Sequence, residues 1–237
     1  MSLQKCFFRV QSSNPVLPPE TWTLVQEIAV AGAYNTTIGW GKYKIVISGG
    51  GGAGGASASD HATPRNWANN GSAGEELTIM VTVPNGENKT ISGIIASGAQ
   101  PSYAYADKPN RPSVARGAVG TGYANGGLGG QAIYYDDREP ALTSDTSAAA
   151  GGSGGGSTSL EIDGVLNSVA RGGNGGACRA DQVATQSGGV GGSGGVGSGT
   201  GAAGGAGRYT RTGGGYSGAG KNGYVRIYKS NLYPEPV

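Results

Sequence analysis

"GGGGAGGA" occupies residues 49–56, directly after the apolar stretch "KYKIVIS" (42–48), and its reading decides the fold. As a linker it would be a flexible coil. As a packed element it would need close neighbours, because glycine loses more conformational freedom on ordering than any other residue and has no side chain to bury. The rest of the chain favours packing, since related blocks recur: "GSAG" (71–74), "GAVGTG" (117–122), "GGLGG" (126–130), "GGSGGG" (151–156), "GGNGG" (172–176), "GGVGGSGGVGSGTGAAGGAG" (188–207) and "GGGYSGAG" (213–220). Their dominant phrase is Gly-Gly-X. A phase of three matches the polyproline-II helix, which has three residues per turn and no internal hydrogen bonds. Two edges of such a helix carry only hydrogen atoms and can lie against neighbouring backbones, while the third carries Ala, Val, Ser or Leu. Buried N–H and C=O groups need partners, and stacked glycine helices supply them to one another. Collagen is the wrong comparison, because these blocks contain no proline. The phase slips at Thr200, which marks a turn between two rods within 188–207.

Composition agrees with an unconventional scaffold. Of 237 residues 49 are glycine and only two are phenylalanine, so burial of large apolar side chains alone does not hold the fold. The net charge of +2 comes with no basic tail or patch, which speaks against nucleic acid as a partner. No apolar run is long enough to span a bilayer, and the opening "MSLQKCFFRVQSSNP" lacks the core of a signal peptide. These features predict a chain made in a cytoplasm and assembled there into something larger, without membrane insertion. Cys6 and Cys178 lie far apart with no metal-ligand spacing and read as free thiols.

Between the blocks the chain alternates between two kinds of segment. Strand-like pieces cover 5–10, 21–30, 40–49, 75–83, 89–97, 157–170 and 222–229, and "PNGEN" (84–88) reads as the turn of a hairpin. Five polar, aromatic-bearing pieces at 57–70, 99–116, 131–150, 177–187 and 208–212 show neither helix nor strand periodicity and read as loops. If each glycine block runs the length of the domain and the chain reverses after it, parity puts all five loops at one end. The strand-like pieces and both ends of the chain then lie at the other.

The loop end would carry His61, Arg65, Trp67, Tyr103, Tyr105, Arg111, Tyr134, Tyr135, Asp136, Arg138, Arg179, Tyr209 and Arg211. Tyr, Trp and Arg combine apolar area with directed polar groups and are enriched at binding hot spots, which makes these residues candidates for receptor binding. The opposite end would carry Phe7, Phe8, Trp22 and Trp40, either as a small local core or as an attachment surface. Catalysis finds little support. His61 is the only histidine and lies among sequence-adjacent Ser57, Ser59 and Asp60, a spacing that rarely gives triad geometry. Asp136, Asp137 and Glu139 match no calcium-loop spacing and read as a solvated turn. No glycine block carries the Lys-Ser/Thr of a phosphate loop. The chain is therefore expected to be non-enzymatic, with no metal and no cofactor.

The segments "ISGGGGAGGAS" (47–57), "GGLGG" (126–130), "GGSGGG" (151–156), "RGGNGGA" (171–177), "GGVGGSGGVGSGTGAAGGAG" (188–207) and "GGGYSGAGKNGYVRIYK" (213–229) resemble the distal tail-fibre adhesins of T-even-type bacteriophages. The resemblance covers roughly 40–230. It implies a mostly β and irregular fold: a sandwich of packed polyglycine-II helices (41–230) with variable receptor-binding loops at one end. A small β-rich fibre-attachment region (1–40) would precede it and a short tail (231–237) would follow. It further implies a virion protein at the tip of the long tail fibre, held by the trimeric distal fibre protein. Its loops would recognise an outer-membrane protein or surface glycan of the host. An ice-binding protein built of the same helices is the alternative reading.

Overall fold

The computed structural model describes residues 18–60, 66–107, 110–135, 145–181, 183, 185–188, 208–210 and 213–232. Their regular structure is all β, in open sheets, without a helix or a closed barrel.

Two four-stranded antiparallel sheets form the base. The first has the order β1 (Trp22–Ile28), β17 (Tyr224–Ser230), β3 (Gly41–Ser48), β6 (Glu76–Val83). The second has the order β13 (Val165–Ala170), β12 (Thr158–Ile162), β7 (Lys89–Ile95), β2 (Gly32–Ile38). Strict alternation sends Tyr43, Ile45 and Ile47 of β3 inward. They meet Val81, Val83, Val225 and Ile227 of the same sheet and Tyr34, Ile38, Ile91, Ile95 and Leu160 of the other, in one buried core. The Tyr34 hydroxyl donates to the Ser159 carbonyl at 3.0 Å inside this core, and burial pushes its phenol well above the ordinary range. Residues 22–38 thus share both sheets with the chain beyond 41.

Most of the strand-like pieces are strands, but the hairpin expected at "PNGEN" is not one. The turn forms, with the Glu87 N–H donating to the Pro84 carbonyl at 3.1 Å. It joins β6 of the first sheet to β7 of the second, so it is a crossover between layers. The true hairpin is β12–β13, where Asp163 and Gly164 both take positive φ (52° and 77°), as a type I′ turn requires. Strand β2 was not expected from the sequence. Its short polar stretch "GAYNTTI" shows only Tyr34 and Ile38 as large inward residues.

Above the base run the glycine segments, joined by backbone hydrogen bonds that repeat every three residues. From 49 to 55, Gly49, Gly52 and Gly55 donate to the carbonyls of Glu75, Ser72 and Asn69. Gly50 and Ala53 donate to Gly156 and Ser153, and Gly51 and Gly54 donate to Lys221 and Gly218. Each successive N–H therefore turns to a different neighbour, and each neighbour is antiparallel. The carbonyls of Gly50 and Ala53 accept from Gly173 and Gly176, a parallel neighbour, and that of Gly51 accepts from Ala99. All ten bonds measure 2.8–3.1 Å. The same step recurs further out. Asn69, Ser72 and Glu75 donate to Ala177, Asn174 and Arg171, and Gly151, Gly154 and Ser157 donate to Gly130, Gly127 and Ala124.

Glycine is required here by close approach. A Cβ on Gly52 would overlap the Asn174 carbonyl oxygen, and one on Gly155 would overlap that of Gly50.

These bonds also fix direction. With 49–55 taken as upward, 69–75 runs down, 97–100 up, 118–121 down, 124–130 up, 151–157 down, 171–177 up and 218–223 down. The loop segments 57–70, 99–116 and 131–150 are each entered from an upward piece and left by a downward one, 177–187 is entered from an upward piece, and 208–212 is followed by a downward one. The segments read as loops nevertheless contain strands: β4 (Ala56–Ser59), β5 (Trp67–Ala68), β8 (Tyr103–Ala106), β9 (Ser113–Ala115), β10 (Gln131–Tyr135), β11 (Thr146–Ala150), β14 (Cys178–Arg179) and β15 (Arg208–Thr210). β16 (Gly213–Tyr216) completes them. They make three sheets of their own, β10-β11-β4-β15, β14-β5 and β16-β8-β9, and pair with no strand of the base. Of the two rods expected within 188–207, only Gly188 is among the described residues.

Gly155→Ala forces a methyl group into the backbone of 49–55. It is expected to lower unfolding stability by about 2–3 kcal/mol in denaturant titrations, whereas Leu128→Ala, at an exposed site, changes it by less than about 0.5 kcal/mol.

Candidate recognition surface

The strands at the loop end stack in layers filled by small residues. Ala56, Ala58 and Ala148 on one face of β10-β11-β4-β15 pack against Ala104 and Ala106 of β8, with Val114 of β9 at the margin. On its other face Ala149 packs with Cys178, Ala180 and Val183, and Tyr134, Ala132 and Ala68 close that cluster. Such side chains bring sheets close together, and strands β4 and β11 are buried on both faces. Cys178 is a free thiol in this layer, and burial pushes its pKa up to about 12, which leaves it protonated and unreactive at neutral pH. Cys6 lies outside the described residues.

Polar contacts join loops distant in sequence. Asn66 donates through Nδ2 to the Thr210 carbonyl at 2.9 Å and accepts through Oδ1 from the Asp181 N–H at 3.1 Å, so one side chain ties three loop segments together. Trp67, 36% exposed, stands opposite exposed Arg179 in the β5–β14 pair. The Arg111 guanidinium lies 5.3 Å from the centroid of the Tyr135 ring, joining the second loop to the third. Tyr134, adjacent in sequence, packs toward the opposite side of the sheet against the Cys178 cluster. The two neighbouring tyrosines therefore do not form one patch.

The densest aromatic group is on the outer face of β16-β8-β9. Alternation turns Ala104 and Ala106 inward and Tyr103 and Tyr105 outward. Tyr216 stands directly opposite Tyr103 across the β8–β16 ladder, with ring centroids 4.7 Å apart and planes tilted by 40°. Gly214 stands opposite Tyr105, and a Cβ there would meet the Tyr103 hydroxyl at 2.6 Å and the Tyr105 ring at 2.9 Å. The absent side chain lets both tyrosines lean over the strand. The Tyr105 hydroxyl donates to Asp107 Oδ2 at 3.4 Å and accepts from Asn110 Nδ2 at 3.3 Å. Tyr216, 70% exposed, was not among the expected site residues because it sits inside a glycine block assigned to the scaffold. The available signal was "GGGY" itself, where one large side chain interrupts residues that otherwise have none.

His61, Arg65, Asp136, Arg138 and Arg211 lie outside the described residues, as does the side chain of Tyr209, whose backbone pairs with Ser57. Phe7 and Phe8 lie outside them too. At the base, Trp22 is half-buried on the outer face of the first sheet and takes no part in the core. The ammonium groups of Lys42 and Lys44 lie 5.6 and 5.4 Å from its ring centroid, and Lys44 also lies 4.7 Å from that of Tyr228. Lys42 donates to Glu20 at 2.9 Å and holds that carboxyl below its usual range. Trp40 is half-buried just before β3.

Among the described residues no three His, Cys, Asp or Glu side chains gather closely enough to hold a metal ion. No model of a known protein family matches the chain, and a search of curated proteins finds no significant relative.

Asn66→Ala removes both arms of the bridge between loops. It is expected to speed hydrogen exchange at the Asp181 amide at least tenfold while leaving the amides of β3 and β17 unchanged, measured by NMR.

Proposed function

We propose that this chain is a non-enzymatic recognition protein of the kind found at the tips of phage tail fibres. In this reading the glycine segments are polyglycine-II helices packed as a sandwich. The five loop segments form a receptor-reading surface at one end, and the base attaches to a trimeric fibre. One observation carries the reading: the described glycine segments return the chain to the same end before the first four loops, and the loop strands, β15 of the fifth included, then pair with one another. A scaffold with that connectivity presents sequence-distant Trp, Tyr and Arg side chains together on a rigid support, the arrangement that recognition of a large partner needs. The resemblance of the glycine motifs to T-even-type adhesins supports a bacterial outer-membrane protein or surface glycan as the partner. The exposed outer face around Trp22, with Leu24 and Met80 beside it, supports the base as the attachment side.

The test exchanges residues 57–70, 99–116, 131–150, 177–187 and 208–212 for the corresponding segments of a similar chain that binds another host. Binding of the purified proteins to a panel of outer-membrane mutants is then measured. The exchange is expected to transfer strain preference while thermal stability stays within a few degrees. Retention of the original preference by the exchanged protein would remove recognition from these loops.

A further inference from the structure

We propose that Tyr103, Tyr105 and Tyr216, together with the carboxylate of Asp107, form a subsite for a single cationic side chain, guanidinium or ammonium, presented by the bound partner. The three rings lie on one face because residues 103 and 105 alternate outward and Tyr216 is in register with Tyr103, and the Asp107 carboxylate, just past the strand, meets this face through the Tyr105 hydroxyl. The Tyr103 hydroxyl and the Tyr105 ring close over Gly214, so the surface open to a cation is made by the rings themselves, with the exposed Tyr216 ring at its edge. Aromatic faces attract a cation through the ring quadrupole, and an adjacent carboxylate adds a charge-assisted hydrogen bond.

Charge decides the occupant. Asp107 accepts from the neutral Tyr105 hydroxyl, and among the described residues no lysine or arginine pairs with it. The nearby Arg111 is turned instead onto the Tyr135 ring. Among the described residues the face therefore offers π-density and a negative charge with no cation paired to it, and a cationic partner group complements both. Arg111 on Tyr135 is the same chemistry satisfied within the molecule. A neutral sugar could stack on the rings but would leave the carboxylate without its complement. The subsite deepens the recognition reading and rests on it only for the source of the cation.

The test is an NMR titration of the full chain, following the Tyr ring signals, with Nα-acetylarginine amide, methyl α-glucoside and sodium chloride at matched concentrations. Arginine amide is expected to shift the rings of Tyr103, Tyr105 and Tyr216 saturably, where salt and glucoside do not. Asp107→Asn and Tyr216→Ala should each weaken that binding about fivefold or more. Both variants should also reduce adsorption of the protein to host bacteria, with unchanged thermal unfolding. The proposal is overturned if glucoside shifts the rings and arginine amide does not, or if Asp107→Asn binds arginine amide as well as the native chain. Saturable, Asp107-dependent binding of arginine amide by a protein that adsorbs to no bacterium would uphold the subsite and remove the recognition reading instead.

Discussion

Everything in this molecule depends on backbone groups of glycine segments bonding to the backbone of other segments with no Cβ between them. Gly52 against Asn174 and Gly155 against Gly50 are spaced by carbonyl oxygens, and a single methyl group at either position would collide. Ordering glycine costs more conformational entropy than ordering any other residue. What offsets it is satisfaction: each N–H from 49 to 55 finds a carbonyl, in three directions in turn. A net gain of about 1 kcal/mol per bond is modest, but a buried donor left unpaired costs more, so the network holds as a whole or not at all. It is closed at one end by the aliphatic core of Ile45, Ile91, Leu160 and Ile227, and at the other by the alanine layers around Ala58 and Ala148.

A scaffold without side chains pushes its chemistry to its ends. The base carries large aliphatic residues inside and a Trp22–Lys44–Tyr228 stack outside. The loop end carries alanine and serine inside and tyrosines outside. Small inner residues let three thin sheets stack closely, and contacts such as Asn66 to Thr210 and Asp181 keep loops from different parts of the chain in one arrangement. Sequence change in the outward residues leaves the hydrogen-bonded interior untouched.

Much of this was legible in the sequence, and for identifiable reasons. The Gly-Gly-X phase marks the packed segments 49–55, 151–157 and 171–177, whereas 69–75 and 97–100 pack without it. Counting reversals matches the directions of the described segments, because the number of blocks is a topological quantity that survives uncertain boundaries. Strands β3, β6 and β17 show ordinary alternation of branched residues. Strands β4 and β11, "ASAS" and "TSAAA", do not: they are buried on both faces by small side chains, so no alternation marks them. "PNGEN" signals a turn, but a turn does not say which sheet receives the next strand. Tyr134 and Tyr135 look like one patch until the pleat separates them. Nothing in the sequence marks Tyr216 as a partner of Tyr103, because only the register of β16 on β8 brings them together.

The most direct measurement of the central claim is residue-resolved amide hydrogen exchange across 49–55, 151–157 and 171–177. Glycine amides that bond to neighbouring segments should exchange only through global opening, as slowly as those of β3 and β17. Exchange of Gly50, Gly52 and Gly155 at the rate of an unstructured glycine peptide, while β3 stays protected, would show these segments to be tethers between two separate β structures.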